Sequence, residues 1–480
     1  MLILADIIEA LTDYRPENAR RVVMNAVVDS RQASKESLFI ALPGERVDGH
    51  DYVADAFKKG AWLAFIQRDI SVDCPILDLR KPQDPEDLNA VLRELSAKSK
   101  LCLRFDDALV ALQRVAHYWR RKFEHVRVIG ITGSVGKSTT KEVLAEVLSQ
   151  RYRTLKNPGN LNNEIGLPLT MLQLRDDHEV AVLEMGFYVP GEIELLCDIA
   201  LPHVGVITNI GTVHAERAGS QEAIVRGKSE LVKALPPAPD GVAILNYDDP
   251  LVREMATKTD ARVFYYGLTE DSDLWADEVV GHGLEGIRFR MHYRSETLHI
   301  RVPLIGRHSV HTALRASAVA LNEGLTWQEI VNGLRSGHTQ LRLVAVRTQS
   351  GALVLDDTYN ASPQSTIAAL NLLDELEGNK IAVLGDMLEL GPYEWRGHEM
   401  VGVRASEVVD ALVTVGERGR MIATAAHQAG LKRSAITELE DSQQAIVFLS
   451  DLLTENDVVL VKGSRSMHMD RIVSALEYES

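Results

Sequence analysis

Cysteine is nearly absent. The 480 residues hold three, Cys74, Cys102 and Cys197, far apart and without a CxxC pair, which argues against a disulfide framework or a structural zinc site. Aromatic residues make up only 5%, too few for the stacking platforms that bind single-stranded nucleic acid. Basic residues are outnumbered 52 to 68, and the formal net charge of −16 repels nucleic acid and anionic membranes. No apolar run reaches the roughly 18 residues of a membrane span. The opening MLILADIIEALTDYR carries Asp6 and Glu9 but no basic stretch or cleavage site, and reads as an amphipathic helix rather than a signal peptide. What remains is ordinary globular usage, 45% apolar and 25% charged. At roughly 150 residues per domain the length suggests about three domains. We expect a cytoplasmic monomer with no nucleic-acid partner and no membrane insertion.

Three blocks follow from the pattern. In residues 1–103, strand-like pieces (Ala26–Val28, Leu38–Ala41, Trp62–Ile66) alternate with short helices, and residues 81–100 suit a polar surface helix. Residues 104–337 open with an amphipathic helix near 107–122, followed by buried-type strands Val126–Thr132, Val180–Glu184 and Val204–Asn209. Short apolar runs alternating with helical patterns predict βα units and a parallel sheet. A more antiparallel subregion is expected over 241–305. Residues 338–480 alternate strands (Leu353–Asp357, Lys380–Gly385, Ala411–Val415, Val458–Val461) with helices, as in a second doubly wound α/β unit. The predicted class is therefore α/β, in three domains.

The sharpest local signal is VRVIGITGSVGKSTTKEVLAEVL, residues 126–148. An apolar strand feeds a Gly-rich turn that opens a helix. Gly133 and Gly136 would let backbone N–H groups face a phosphate at the helix N-terminus. Lys137 would reach the β- and γ-phosphates, and the Ser138 hydroxyl would bind Mg²⁺. The full phosphate-loop spacing would need Gly at 131, where Ile131 stands, so the motif is the shorter Thr132, Gly133, Ser134, Val135, Gly136, Lys137, Ser138, Thr139.

Ligands of open parallel sheets sit outside the carboxyl ends of the strands. The strand after the loop ends in Glu184, a candidate second Mg²⁺ ligand. The next ends at Asn209 and is followed by His214. NPGNLNNEIGLP (157–168) offers Asn160, Asn162 and Asn163 as amide donors. In the third block Asp356–Asp357, Gly385–Asp386 and Lys462–Arg465 close successive strands. Two ligand-facing rims predict an active site between two α/β domains.

Taken in order, GITGSVGKSTTKE, NPGNLNNEIGLP, LEMGFYVPGEIE, ITNIGTVHAE, GRHSVHT, LDDTYNASPQS, LGDMLELG and VKGSRSM resemble the motifs of the Mur ligases. VDSRQASKESLFIALPGERVDGHDYV resembles the uridine-nucleotide domain of the later-acting members, so the likeness spans nearly the whole chain. LDDTYNASP with GDMLELG resembles the members that add D-alanyl-D-alanine, and the DNPR-like signature of the diaminopimelate-adding enzyme is missing.

The resemblance implies an ATP-dependent ligase of peptidoglycan precursor synthesis. ATP would phosphorylate the terminal carboxylate of a UDP-N-acetylmuramoyl-tripeptide, and the D-alanyl-D-alanine amine would attack the acyl phosphate. It implies that Lys228 becomes a carbamate and that Ser138, Glu184, His214 and Lys228 organise Mg²⁺. It further implies that Arg342, Asp357 and Tyr359 meet the nucleotide. Asp29, Ser30, Arg31, Asp48, Gly49 and His50 would contact the uridine diphosphate end, and Asn360, Lys462 and Arg465 would face D-Ala-D-Ala.

Two departures stand out. The family's G-x-H-N-x-x-N reads Gly306-Arg307-His308-Ser309-Val310-His311-Thr312 here. Ser309 and Thr312, expected at the adenine, each offer one donor on the same atom that accepts, whereas an Asn amide separates the two functions. Leu341 replaces the Gly before the linker arginine. The alternatives are another ligase of the superfamily, such as a folylpolyglutamate synthetase, and a nucleotide-binding regulatory protein with a decayed site.

Overall fold

Apolar runs of four to six residues bury both faces only as parallel strands covered by helices, and the chain meets that requirement repeatedly. The computed structural model describes residues 1–44, 47–94, 99–212, 215–336 and 344–477. His214 and Arg342 lie outside the described residues, as do Leu341 and the expected boundary at 337/338. The fold is α/β, as expected, and packs as two compact units: residues 1–130, 152–186 and 192–203, and residues 131–151, 187–191 and 204–480.

In the first unit, strands Asn25–Val27, Ser37–Ile40, Leu63–Ile66, Leu101–Arg104 and Ile76–Asp78 lie in that order, every pair parallel. One face packs Val27, Phe39, Ala64 and Cys102 against Val53, Ala56 and Phe57 of helix Val53–Lys58. Because all five strands run the same way, the segments after their carboxyl ends gather at one edge. The same unit holds helix Ala108–Arg121, capped by the Asp107 carboxylate, and the parallel pair Thr154–Lys156 with Val180–Glu184.

In the second unit, Val204–Ile207, Val242–Asn246, Arg262–Gly267 and Leu274–Gly281 pair in parallel. Ile287–Tyr293 and Glu296–Val302 then add an antiparallel hairpin. The antiparallel region thus begins later than 241. VAILN at 242–246 is buried at every position, which fits a covered parallel strand, whereas the hairpin strands alternate.

Residues 344–477 form the expected doubly wound sheet, ordered Val344–Arg347, Leu353–Asp356, Asp457–Lys462, Asn379–Gly385, Ala411–Val415, Ile436–Leu439. Only the first pair is antiparallel. Alternation along each strand sends Val354, Val383 and Val459 to one face and Leu355, Leu384 and Leu460 to the other. Helices Ser442–Leu452 and Asp470–Leu476 cover the first face, and Pro363–Asp374, Glu394–Val408 and Gly419–Gln428 the second. Arg217 pairs with Glu389 at 3.4 Å, so the segment after residue 214 lies against the GDMLELG loop of this sheet.

Candidate active site

Strand Arg127–Thr132 ends where the phosphate loop begins, and helix Lys137–Leu148 starts where it ends. Gly133 has φ +143, and a Cβ there would fall 1.8 Å from Thr208 Oγ1. Gly136 has φ +84 and caps the helix. The loop is pinned to the end of strand Val204–Ile207. Ser134 N–H donates to the Asn209 carbonyl at 2.9 Å, and Val135 N–H to Asn209 Oδ1 at 2.9 Å. The Asn209 amide returns a bond to the Val135 carbonyl at 3.2 Å, and Gly211 N–H donates to Ser134 Oγ at 2.8 Å. Asn209 therefore shapes the loop rather than presenting its own amide.

Two lysines turn toward one atom of that loop. Lys137 Nζ lies 2.8 Å from the Gly133 carbonyl oxygen and Lys228 Nζ 3.0 Å from it. Lys228 ends helix Gln221–Lys228, is fully buried, and has its Nζ 4.7 Å from the centroid of the Phe187 ring. Burial, and then the Lys137 charge, hold the Lys228 amine well below its ordinary pKa.

The other predicted groups of the second unit fall around this loop and on the facing sheet. Ser138 and Thr139 stand on the first turn of the loop's helix. Ser309 is buried and donates to the Ile305 carbonyl at 2.7 Å. Thr312 Oγ1 accepts from Arg315 at 2.9 Å. Both hydroxyls make internal bonds. His308 has solvent-exposed surface, and desolvation of its ring, with the charges of His311, Arg315 and Lys462, lowers its pKa.

At the rim of the six-stranded sheet, Lys462 is 2% exposed; its Nζ lies 2.6 Å from Asp357 Oδ2 and 2.9 Å from the Asn360 carbonyl. Arg465 stands 5.6 Å from the centroid of the half-exposed Tyr359 ring. Lys462 is a buried ion-pair partner, whereas Arg465 is exposed.

In the first unit, Glu184 closes its strand at 2% exposure. Asn157 bonds both backbone groups of Glu184, and Asn162 Nδ2 donates to Glu184 Oε1 at 2.9 Å. Asn163 Oδ1 accepts from Gly166 N–H at 2.9 Å. The Asn-rich loop therefore orients the carboxylate and caps a helix start.

The strand-end edge of the five-stranded sheet carries the other predicted cluster. Asp29 accepts from Arg31 N–H and pairs with the exposed Arg31 guanidinium at 2.7 Å, which lowers the Asp29 pKa. Ser30 is buried beside them. Asp48 and Gly49 lead into a short turn. His50 Nε2 accepts from Gln67 N–H at 2.8 Å, so its proton sits on Nδ1, which faces Asp48 Oδ1 at 2.6 Å. Burial alone would raise the Asp48 pKa, but bonds from His50 and Arg68 hold it at about 2. With both ring nitrogens engaged, His50 positions the loop.

Sequence reasoning missed Arg315, Thr208, the His311–Asp248 pair at 2.8 Å and Arg68. Arg315 had a signal: it is the one formal charge within VHTALRASAVALN, a helix otherwise buried along most of its length. Among the described residues, no three His, Cys, Asp or Glu side chains gather as a metal cage, and no helix is long and apolar enough to cross a membrane.

Three family models match in order: Mur ligase family, catalytic domain, over residues 24–101; Mur ligase middle domain over 131–320; and Mur ligase, glutamate ligase domain, over 341–465. The chain is 37% identical to the UDP-N-acetylmuramoyl-tripeptide–D-alanyl-D-alanine ligase of Bacillus subtilis over 467 residues, 96% of this chain and 94% of that one. A crystal structure of MurF from Acinetobacter baumannii matches with TM-score 0.82 and 31% identity, covering 98% of this chain and 97% of that one. MurF ligase from Thermotoga maritima in complex with ADP matches with TM-score 0.77 and 26% identity, covering 95% and 97%.

Proposed function

This chain belongs to the Mur ligase family, and from that premise we propose that it joins D-alanyl-D-alanine to a UDP-N-acetylmuramoyl-tripeptide, with ATP cleaved to ADP and phosphate. The observation that carries the reading is the phosphate loop wedged against Thr208 and Asn209, with two lysine amines on the Gly133 carbonyl. The step moves a phosphoryl group between anions, so its catalysis is mostly positioning and charge stabilisation.

Residues 104–337 are assigned to ATP. Loop residues 132–139 cradle the phosphates, and Lys137 swings from the Gly133 carbonyl to the β- and γ-phosphates. The γ-phosphoryl group passes to the tripeptide carboxylate. The D-Ala-D-Ala amine attacks the acyl phosphate, and the tetrahedral adduct collapses to the amide and phosphate. Residues 1–103 are assigned to the uridine diphosphate end, with Arg31 as the exposed cation and Asp48, Gly49 and His50 as its shaped loop. Residues 338–480 are assigned to the amine substrate and to closing on the nucleotide through Arg342, Asp357 and Tyr359. Arg465 suits the dipeptide carboxylate better than Lys462, whose charge Asp357 already meets.

The Ser138 hydroxyl and the Glu184 carboxylate are hard oxygen donors of the kind Mg²⁺ takes. With His214 and a Lys228 carbamate they are the proposed ligands, and the ion would neutralise phosphate charge. The burial and lowered pKa of the Lys228 amine support carbamate formation. Nucleotide-linked substrates suit a cytoplasmic enzyme. The folate alternative is disfavoured by the Asp29–Arg31 and Asp48–His50 devices, for which a folate has no use, and the decayed-site alternative by the intact loop.

The test is phosphate release from ATP with UDP-N-acetylmuramoyl-tripeptide, with and without D-Ala-D-Ala, against a folate plus glutamate control. Release that requires both muramoyl tripeptide and dipeptide is expected. Release with the folate pair, or none with any muramoyl peptide, would overturn the reading.

A further inference from the structure

Arg315 is 4% exposed in the middle of helix Val310–Asn322. Its three nitrogens have neutral partners. Nε donates to Thr140 Oγ1 at 3.0 Å, Nη2 to Thr312 Oγ1 at 2.9 Å, and Nη1 lies 3.4 Å from the Tyr266 hydroxyl. The guanidinium carbon is 5.8 Å from the centroid of the Tyr266 ring. Among the described residues, no carboxylate pairs with it. A buried cation without a counter-charge is strongly disfavoured.

The chain holds a useful contrast. Arg120 is also buried, but it donates to three backbone carbonyls, Ala200, Phe123 and Val126, at 2.6–3.1 Å. That is a structural arginine tying the ends of two helices together. Arg315 spends its bonds on three hydroxyls and points at the phosphate loop. Thr140 Oγ1, which accepts from Arg315 Nε, itself donates to the Gly136 carbonyl at 2.6 Å. Arg315 Nη2 is only 3.1 Å from where a Cβ on Gly136 would sit. The guanidinium therefore backs the turn at which loop becomes helix, where a helix N-terminus already favours an anion.

We propose that Arg315 is a positioning residue for the nucleotide phosphates: a buried cation behind the loop, coupled to Gly136 through Thr140, whose counter-charge is the β-phosphate that the loop receives. The inference rests on the ATP reading of this loop and deepens it. It also accounts for Thr312, whose hydroxyl orients Arg315. The departure from the family motif there serves the loop rather than the base. The group acts through field and loop geometry and transfers no proton.

The test compares binding of ADP and AMP to the full chain and to Arg315→Met and Arg315→Lys. AMP lacks the β-phosphate that the loop would hold. Arg315→Met is expected to weaken ADP by roughly tenfold or more, the scale of a lost preorganised charge, and AMP far less. Arg315→Lys is expected to restore most of the ADP affinity, and the KM for D-Ala-D-Ala is expected to stay unchanged. Equal losses for ADP and AMP, or none, would mean that Arg315 only packs the core and would overturn the proposal. If Arg315→Met does not fold, Thr140→Val cuts the link to Gly136 with the charge kept in place. A lower ADP-to-AMP affinity ratio is then expected, and an unchanged ratio overturns the proposal. Lys137→Ala separates the two readings. If it retains wild-type ADP binding, the ATP assignment of the loop fails. If it loses ADP while Arg315→Met does not, only the inference on Arg315 fails.

Discussion

Lys137 and Lys228, 91 positions apart in the sequence, aim their amines at the same carbonyl oxygen of Gly133, at 2.8 and 3.0 Å. Two ammonium groups so placed repel, which favours the neutral form of the more enclosed one. Lys228 is fully buried, and that burial together with the Lys137 charge lowers its pKa. In the proposed reaction one of the pair serves as the cation for phosphate and the other as the amine that is carbamoylated.

That depressed pKa has a signed consequence for stability. The unfolded chain holds the Lys228 proton up to about 10.4, whereas the folded chain releases it at lower pH. Between those two points the unfolded state binds more protons, so stability rises with pH across the window and is flat below it. Lys228→Met removes the titrating group. Its thermal midpoint is expected to rise less with pH than that of the wild type from neutral pH toward 10. An unchanged slope would show that Lys228 keeps its proton. Intact mass analysis with and without bicarbonate checks the modification: one added carbon dioxide, lost in Lys228→Met.

His50 is the keystone of the proposed uridine edge because it joins two segments: its own turn, through Asp48, and the Gln67 backbone. His50→Ala takes the acceptor from the half-buried Gln67 N–H, a loss of about 1 kcal/mol. It also frees Asp48, whose carboxyl is held at about 2. That depressed carboxyl contributes stability fully present above its unfolded pKa and lost as pH falls toward 2. His50→Ala is therefore expected to shrink the acid-unfolding step and to raise the KM for the UDP substrate while leaving the ATP KM alone. A change confined to the ATP KM would move the uridine site elsewhere.

The phosphate loop was legible because its chemistry is local: Thr132 to Thr139 carry strand end, turn and helix start in eight consecutive residues. The destinations of Ser309 and Thr312 were not. Ser309 turns to Ile305, and Thr312 to Arg315, choices made by helix packing rather than by neighbours in sequence. Thr208 under Gly133 was equally hidden, since that contact exists only once two strands lie side by side. Strand Ile76–Asp78 escaped notice because only Leu77 of its three residues is buried. The antiparallel boundary was misplaced because a covered strand such as Val242–Asn246 reads simply as apolar, with no sign of its direction.

The C-terminal rim separates two jobs that the sequence left together. Lys462 is buried against Asp357, and removing one partner of a buried pair costs about 3–5 kcal/mol. Lys462→Met is therefore expected to lower the thermal midpoint clearly. Arg465, with no ion pair among the described residues, should tolerate Arg465→Ala with little loss of stability. If Arg465 receives the dipeptide carboxylate, Arg465→Ala raises the KM for D-Ala-D-Ala several-fold, the scale of a charge-assisted hydrogen bond, and leaves the ATP KM unchanged. Wild-type dipeptide kinetics in Arg465→Ala would remove it from the substrate site.

Gly133 offers the sharpest steric test. Its backbone is in a region that L side chains rarely adopt, and the nearest atom to an added Cβ, Thr208 Oγ1 at 1.8 Å, belongs to a short buried side chain with little freedom to move. Gly133→Ala must push the loop away from Asn209, breaking the bonds from Ser134 and Val135 that shape it. Loss of ATP-dependent phosphate release is expected, because the loop amides and Lys137 are then misplaced together. Binding of the UDP substrate to residues 1–103 depends on none of these atoms and should persist, measurable by calorimetry on the same variant. Near-normal turnover in Gly133→Ala would mean that the loop conformation described here is not the one that holds the nucleotide.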